Sequence, residues 1–497
     1  VTERLTVAEA SASRGTFLSI YPSIILPMFL AVMDQTIISA ALPEIAASLG
    51  HVQYISWVVV AYLVANTIAA PVYGRLGDLF GRRKLMLGAL ILFTGASVLC
   101  ALAPSMELLI MARLLQGLGG GGLMTLTQAL VGEAVPPRER ARFQGYLAAV
   151  AVSANALGPV AGGYLTQHLG WQSIFLINLP LGALAFLLVL RLKPNPGLGE
   201  KRPFDVRGLL YLSIFASSTL IGFSQAQDLT AGAGVEFSIL IVTAAIALIL
   251  LIRHEDRTEY PLLPIKLLRK PAIWRTDALA ACHGATFVAL ITFIPLYLRV
   301  VRGVTVGEIG LLVLPLSVGV GVGSLMTGRA VSRTGRTAIF PSIGLSLATA
   351  ALIVLAVAGD GLGTTELSCL LGLIAVFMGT VMGVVQVTVQ GAAGPRVLGA
   401  AAASVQLSRS IGAAFGTGIV SLVLFAAIAA HDTEIARLFH ELIQRGPDML
   451  ATLTPAVRIH LQEEIRGAFF AAFLTIAGFA ALGTVLALSI PIRRLSE

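Results

Sequence analysis

Asp34 stands in the run Phe29-Leu30-Ala31-Val32-Met33-Asp34-Gln35-Thr36-Ile37-Ile38, deep in an apolar segment. A charge at such a place costs about 2.5–3.5 kcal/mol on membrane-insertion scales, so its presence needs a reason. One reason is chemical: a carboxylate facing a low-dielectric cavity can bind and release protons near neutral pH. The other is structural, a carboxylate paired with a neighbouring helix. Arg113 is the second charge of this kind, in Leu109-Ile110-Met111-Ala112-Arg113-Leu114-Leu115-Gln116-Gly117. A buried guanidinium must find an acceptor. Asp34 can serve, directly or through water, and so can a backbone carbonyl. The first choice makes Asp34 and Arg113 a proton-coupling pair.

Four further groups bear on motion or binding. Gly158-Pro159-Val160-Ala161-Gly162-Gly163 joins a residue that bends a helix to glycines that let helices approach closely. It is either a gating bend near a contact between two halves or simple close packing. Gly74, Asp78, Arg82 and Arg83, with Lys84, lie in a short basic connector, where they either latch two halves together or only set topology. Trp57, Tyr62, Asn66, Gln128, Tyr146 and Asn155 either line an amphiphilic cavity, where aromatic faces suit flat lipophilic cations, or serve in packing and as interfacial anchors. Gln386, Gln390, Gln406 and Arg409 give the second part of the chain a polar lining without an acid, and His283 is read as structural.

Enzyme signatures are missing from the sequence: no phosphate loop, no zinc spacing and no nucleophile elbow. Gly117–Gly122 has no strand before it and no Lys-Ser/Thr after it, so it reads as a helix-packing face. Cys100, Cys282 and Cys369 have neither metal nor redox spacing. No catalytic residue, metal or cofactor is expected, and an ion gradient is left as the energy source.

The elements that must hold these residues are long apolar helices. The chain of 497 residues is 56% hydrophobic and only 12% charged, where a soluble domain carries about 25%. Apolar runs of roughly 20 residues recur along it, which predicts an all-α polytopic membrane protein. Fourteen spans are expected, at 17–41, 55–74, 85–103, 107–134, 143–167, 172–191, 208–227, 236–252, 277–299, 307–328, 337–357, 366–390, 400–428 and 466–490. Most of the 34 Lys and Arg fall in alternate connections and the two tails, whereas the other connections hold only Arg302, Arg437, Arg445 and Arg458. This asymmetry puts both termini in the cytoplasm. It also accounts for the formal charge of +8 without a nucleic-acid partner. The leader Val1–Gly15 is followed by no small-residue cleavage pattern, which predicts a retained first helix.

Repetition sets the organisation. Gly74-Arg75-Leu76-Gly77-Asp78-Leu79-Phe80-Gly81-Arg82 returns as Gly328-Arg329-Ala330-Val331-Ser332-Arg333-Thr334-Gly335-Arg336, and Ala156–Pro159 as Ala414–Thr417. A connector repeated at one topological place implies two related bundles with a substrate site between them. The expected units are a tail at 1–16, a six-helix bundle at 17–191, a linker with two extra helices at 192–276, a second bundle at 277–490 with an outer connection at 429–465, and a tail at 491–497. The linker contains Pro194-Asn195-Pro196-Gly197, a turn signal. The outer connection is expected to form short amphipathic helices, with docking of an accessory periplasmic protein as one role.

Several of these motifs resemble the major facilitator superfamily, and within it the fourteen-helix drug:proton antiporters of the QacA and EmrB type. The carriers are Asp34–Pro43, Gly74–Lys84, Arg113–Gly117 and Gly158–Gly163, joined by Trp171–Pro180 and Pro295–Arg299. The resemblance departs at Arg299, where a polar uncharged residue is expected, and in the missing second-half acid. It implies a major facilitator fold and rocker-type alternating access, with Asp34 as proton site, Arg113 as its modulator and Gly158/Pro159 as hinge. The expected function is proton-coupled antiport of lipophilic, cationic drugs out of a bacterial cell across its inner membrane. A lipid or metabolite exporter of the same fold is the alternative, followed by a uniporter or a non-transporting receptor.

Overall fold

The computed structural model describes residues 2–50, 54–194, 203–225, 233–304, 306–429, 438, 439, 442, 453–492 and 494. Most of the Pro194–Gly197 linker and most of the 429–465 connection lie outside the described residues. Among the described residues there are fourteen helices long and apolar enough to cross a membrane. They are α1 (Tyr21–Leu49), α2 (Ile55–Phe80), α3 (Arg82–Ala101), α4 (Met106–Ala134), α5 (Glu139–Leu169), α6 (Ser173–Leu190), α7 (Val206–Ser224), α8 (Gly234–Arg257), α9 (Pro271–Val300), α10 (Glu308–Thr334), α11 (Ile339–Gly361), α12 (Thr364–Ala393), α13 (Pro395–Ile428) and α14 (His460–Ser489). Each expected span has its helix. Most helices run further than the apolar run alone, because polar residues at the ends continue the turn. The difference that bears on the site is at α9, which starts at Pro271 and so carries Asp277 inside it.

Two apolar cores organise these helices. One draws on residues from Ile24 to Leu192 and the other on residues from Ile273 to Ile490. A smaller core joins α7 and α8, with Leu407 of α13 added to it. Large apolar side chains such as Ile91, Leu99, Leu187, Ile246 and Leu488 point away from all three. Such a belt suits hydrocarbon, and within helices every interior backbone group is already bonded.

Two glycines explain the repeated connector. Gly81 between α2 and α3 has φ +90, and Gly335 between α10 and α11 has φ +66. That left-handed region is open to glycine at little cost, so the same tight reversal recurs at the same spacing. The first glycine of each copy makes an exchanged contact. A methyl group at Gly74 would sit 2.5 Å from the Gly399 carbonyl of α13, and one at Gly328 would strike the Ala141 carbonyl of α5. Each bundle thus presses its second helix against the fifth helix of the other.

Gly117, Gly119 and Gly121 behave as the packing face expected of them. Methyl groups there would strike the backbone of Tyr62, Phe93 and Asn66, so α4 lies unusually close to α2 and α3. This close approach brings Arg113 within reach of α1.

Candidate functional site

Asp34 and Arg113 are both 0% exposed, and they meet. Arg113 Nη1 donates to Asp34 Oδ2 at 2.6 Å and to Gln116 Oε1 at 2.7 Å. Its Nε donates to the Val58 carbonyl at 3.2 Å, and the guanidinium lies 4.3 Å from the centre of the Tyr62 ring. The other carboxylate oxygen, Oδ1, accepts from Gln116 Nε2 at 2.7 Å and from Asn178 Nδ2 at 2.8 Å. Ser97 closes the group by accepting from the same two amides, at 2.8 and 3.2 Å. Removing one member of a buried ion pair typically costs about 3–5 kcal/mol, so this cluster ties α1 firmly to α4 and α6.

Helix geometry explains the assembly. Arg113 and Gln116 are three residues apart and share one face of α4. Asn178 arrives where α6 is interrupted, at Ile177, between Ser173–Leu176 and Asn178–Leu190. Gln116, Asn178 and Ser97 were not foreseen as site residues, although a lone Asn in the apolar run Phe175-Leu176-Ile177-Asn178-Leu179 is a signal in retrospect. Asp34 was expected to face a cavity. It instead faces the interior of the first bundle, because three donors, one each from Arg113, Gln116 and Asn178, converge there.

A separate cavity of roughly 370 Å³ lies between the two bundles and α7. Asn66, Gln406 and Arg409 line it as expected, and Gln35, next to Asp34 in the chain, reaches it from α1. His283 also lines it, beyond the structural role expected: Nε2 lies 3.2 Å from the Met378 carbonyl, and the ring lies nearly parallel to Phe287. The other expected lining residues are elsewhere. Tyr62 lies beneath Arg113, with its hydroxyl 3.3 Å from the Ala31 carbonyl. Gln390 donates to the Gln128 carbonyl at 2.9 Å across the two bundles, and Gln144 donates to the Gln128 side chain. Tyr146 packs edge-on to Tyr21 and Phe143, Gln386 is buried, Asn155 is exposed on α5, and Trp57 is half-buried near the start of α2. The sequence identified polar residues on these helices but not the side of the helix on which each falls.

The charge of this lining also differs from expectation. Arg409 is the charged residue in it, and no carboxylate is among the described residues that form it. Such a lining does not favour the lipophilic cations expected. The second bundle does contain a buried acid near the start of α9, where the expectation concerned only the middle of the membrane: Asp277 is 7% exposed and 3.4 Å from the Ser404 hydroxyl. The sequence placed it at the edge of a span because the turn and a half before it, from Pro271, is less apolar.

At one end of the molecule the bundles are pinned together. Asp78 Oδ1 accepts from the Gly399 amide at 2.9 Å, and Oδ2 accepts from the Ala400 amide at 3.1 Å. These are N–H groups of the first turn of the α-helical part of α13, which begins at Leu398, where the helix dipole favours an anion. Arg82 Nη2 also donates to Asp78 Oδ1, at 2.6 Å, and Arg82 Nη1 bonds Glu133 of α4. Arg83 does not latch the halves; its Nη2 bonds the Leu190 carbonyl at the end of α6, at 2.7 Å. Lys84 is exposed.

Gly158 and Gly162 were placed near a contact between halves. They pack inside the first bundle instead, where methyl groups would strike Thr36 and the Ile37 carbonyl of α1. Gly163 has nothing within 4 Å, and Pro159 is exposed. The glycines therefore bear on α1 two and three residues beyond Asp34.

The profile of the Major Facilitator Superfamily matches residues 24–417. An uncharacterized MFS-type transporter of Mycobacterium tuberculosis strain H37Rv is 33% identical over 398 residues, which is 80% of this chain and 58% of the relative. The aligned part thus spans little more than half of that relative's length. The multidrug transporter protein MdtP of Bacillus subtilis is 30% identical over 421 residues, 84% of this chain and 77% of its own. Among solved structures, the human organic anion transporter MFSD10 has a TM-score of 0.65 at 18% identity, covering 94% of this chain and 99% of its own. The proton:xylose symporter XylE has a TM-score of 0.63 at 13% identity, covering 97% of this chain and 98% of its own. At these identities the two structures speak to the fold alone.

Proposed function

This chain belongs to the Major Facilitator Superfamily and is a multi-pass membrane transport protein, and from that premise we propose that it is a proton-coupled antiporter exporting lipophilic drugs by alternating access. The observation that carries the reading is the Asp34 carboxylate, fully buried, held by Arg113 at 2.6 Å, and adjacent in sequence to the cavity residue Gln35. Similarity to a multidrug transporter of Bacillus subtilis supports the drug class.

Asp34 carries the coupling proton in this account. Protonation removes the negative member of the Asp34–Arg113 pair. Arg113 keeps the Gln116 and Val58 oxygens, so it remains in place while α1 loses its strongest tie to α4. The Gly158 and Gly162 contacts lie within one turn of Asp34 along α1, and a shift of α1 changes its seat on α5. Gln35 moves with it at the cavity wall. Asp78 on the α13 amides closes one end of the cavity path, and by the basic-residue asymmetry that end is cytoplasmic. The described state then faces outward, both termini are cytoplasmic, and the host membrane is a bacterial inner membrane.

The test is drug uptake into everted vesicles of a host lacking its own exporters. Addition of a transported lipophilic drug releases protons from acid-loaded vesicles that contain the protein. Drug accumulation that is indifferent to collapse of the proton gradient would contradict antiport.

A further inference from the structure

We propose that the cavity between the bundles is an anion site, with Arg409 as the residue that selects amphiphilic aromatic anions, such as carboxylates or sulfonates, as cargo. This inference rests on the export reading above and names its substrate class.

Arg113 and Arg409, one fully buried and one half-buried at the cavity wall, are not in equal positions. Arg113 has the Asp34 carboxylate, the Gln116 side chain and the Val58 carbonyl. Arg409 has one bond, from Nη2 to Gln406 Oε1 at 3.3 Å, and its buried Nε has no partner. A guanidinium stays charged in proteins, so it cannot shed its charge as a buried lysine or histidine can. A positive charge left among apolar helices costs several kcal/mol unless an anion meets it. No carboxylate is among the described residues lining the cavity that Arg409 faces. The nearest acid of the second bundle by helix position, Asp277, is tied to Ser404 and is not part of the lining. The missing counter-charge is therefore supplied by what enters.

The rest of the lining describes the body of that ligand. Phe223 from α7 and Phe287 from α9 offer aromatic faces, and Val60, Leu63 and Leu220 add aliphatic surface. His283 Nε2–H donates to the Met378 carbonyl, which leaves Nδ1 as an acceptor without a partner. A planar ligand with one anionic group for Arg409 and an apolar body against the phenyl rings satisfies the guanidinium and the apolar lining together, and a hydroxyl or N–H on that body would meet His283 Nδ1. Planar anions suit a guanidinium because two parallel N–H donors can reach two oxygens.

The experiment compares three ligands that share one ring system: 2-naphthalenesulfonate, neutral 2-naphthol and cationic 2-naphthyltrimethylammonium. Equilibrium binding is measured on the full chain in nanodiscs with no gradient, so the result is independent of proton coupling. The sulfonate is expected to bind at least tenfold more tightly than the ammonium. Arg409→Gln abolishes this preference by weakening the sulfonate at least tenfold, and Arg409→Lys retains most of it. In a second measurement the sulfonate slows maleimide labelling of Ser410→Cys, a cavity residue, in a background free of the native cysteines. Ammonium binding equal to or tighter than sulfonate binding, an unchanged preference in Arg409→Gln, or unprotected Ser410→Cys would overturn the proposal. The wild-type ranking and the Ser410→Cys result decide the matter even if Arg409→Gln does not fold.

Discussion

Asp78 of the first bundle accepts a hydrogen bond from the Gly399 amide of the second at 2.9 Å, although the two residues are 321 positions apart in the chain. The contact joins a carboxylate to N–H groups of the first turn of the α-helical part of α13. An anion at such a helix start stabilises by up to about 2 kcal/mol when partly buried. Asp78→Asn is therefore expected to shift the population toward the opened end by roughly tenfold or more. Labelling of Ala403→Cys, buried behind Gly74, reads this in a cysteine-free background: the rate should rise several-fold in Asp78→Asn. An unchanged rate would remove Asp78 from the latch.

Gly158 and Gly163 separate contact from composition. Overpacking a well-packed contact costs about 1–3 kcal/mol. Gly158→Ala, which drives a methyl group into Thr36, should lower the thermal midpoint and cut efflux strongly. Gly163→Ala meets nothing within 4 Å and should leave both unchanged. Equal behaviour of the two variants would reduce the motif to helix composition.

Asn178→Ala tests the reach of the Asp34 cluster. It removes the donor 2.8 Å from Asp34 Oδ1 and leaves that oxygen to Gln116. A lost buried hydrogen bond to a charged group costs about 1.5–3 kcal/mol. The expected result is a lower unfolding temperature in detergent and reduced efflux, with Gln116→Ala acting in the same direction. Wild-type values for Asn178→Ala would show that the interruption of α6 is not tied to the site.

Charge movement follows from the cargo. Exchange of one inward proton for one outward monoanion moves two positive charges inward in each cycle. Membrane potential alone should then drive efflux of an anionic substrate in liposomes at zero pH gradient. Efflux of that substrate unaffected by potential would contradict either the anion or the one-proton exchange.

Much of the fold was legible because membrane spans announce themselves by length and polarity. The repeated connector was legible too, since its terminal glycines carry a backbone requirement that survives when other residues change. Asp34 and Arg113 stood out because an isolated charge in an apolar run is expensive. Partners were harder to find. Asn178 lies 144 residues from Asp34, and a short amide in an apolar run costs too little to attract notice. Gly158 was legible as a close contact, but sequence does not say against which helix, and the structure gives α1 rather than the other bundle. Asp277 was hidden by six less apolar residues at the start of α9. Tyr62 and Asn66 lie four residues apart on α2, yet one sits under Arg113 and the other faces the cavity.

The orientation assigned from the basic residues has its own check. Arg269→Cys before α9 and Gly303→Cys after it should be labelled from opposite sides of the membrane by an impermeant reagent, with Arg269→Cys reached from the cytoplasm. Labelling of both from one side would break the topology.

The measurement that reaches the central claim most directly is substrate-evoked proton flux in proteoliposomes loaded with a pH-sensitive dye, comparing the native chain with Asp34→Asn. The amide keeps the shape of the carboxylate and removes its proton chemistry. The account predicts no coupled proton flux from Asp34→Asn, with the protein inserted at native levels. Undiminished flux from Asp34→Asn would contradict it and move the coupling proton elsewhere, with Asp277 the first acid to examine.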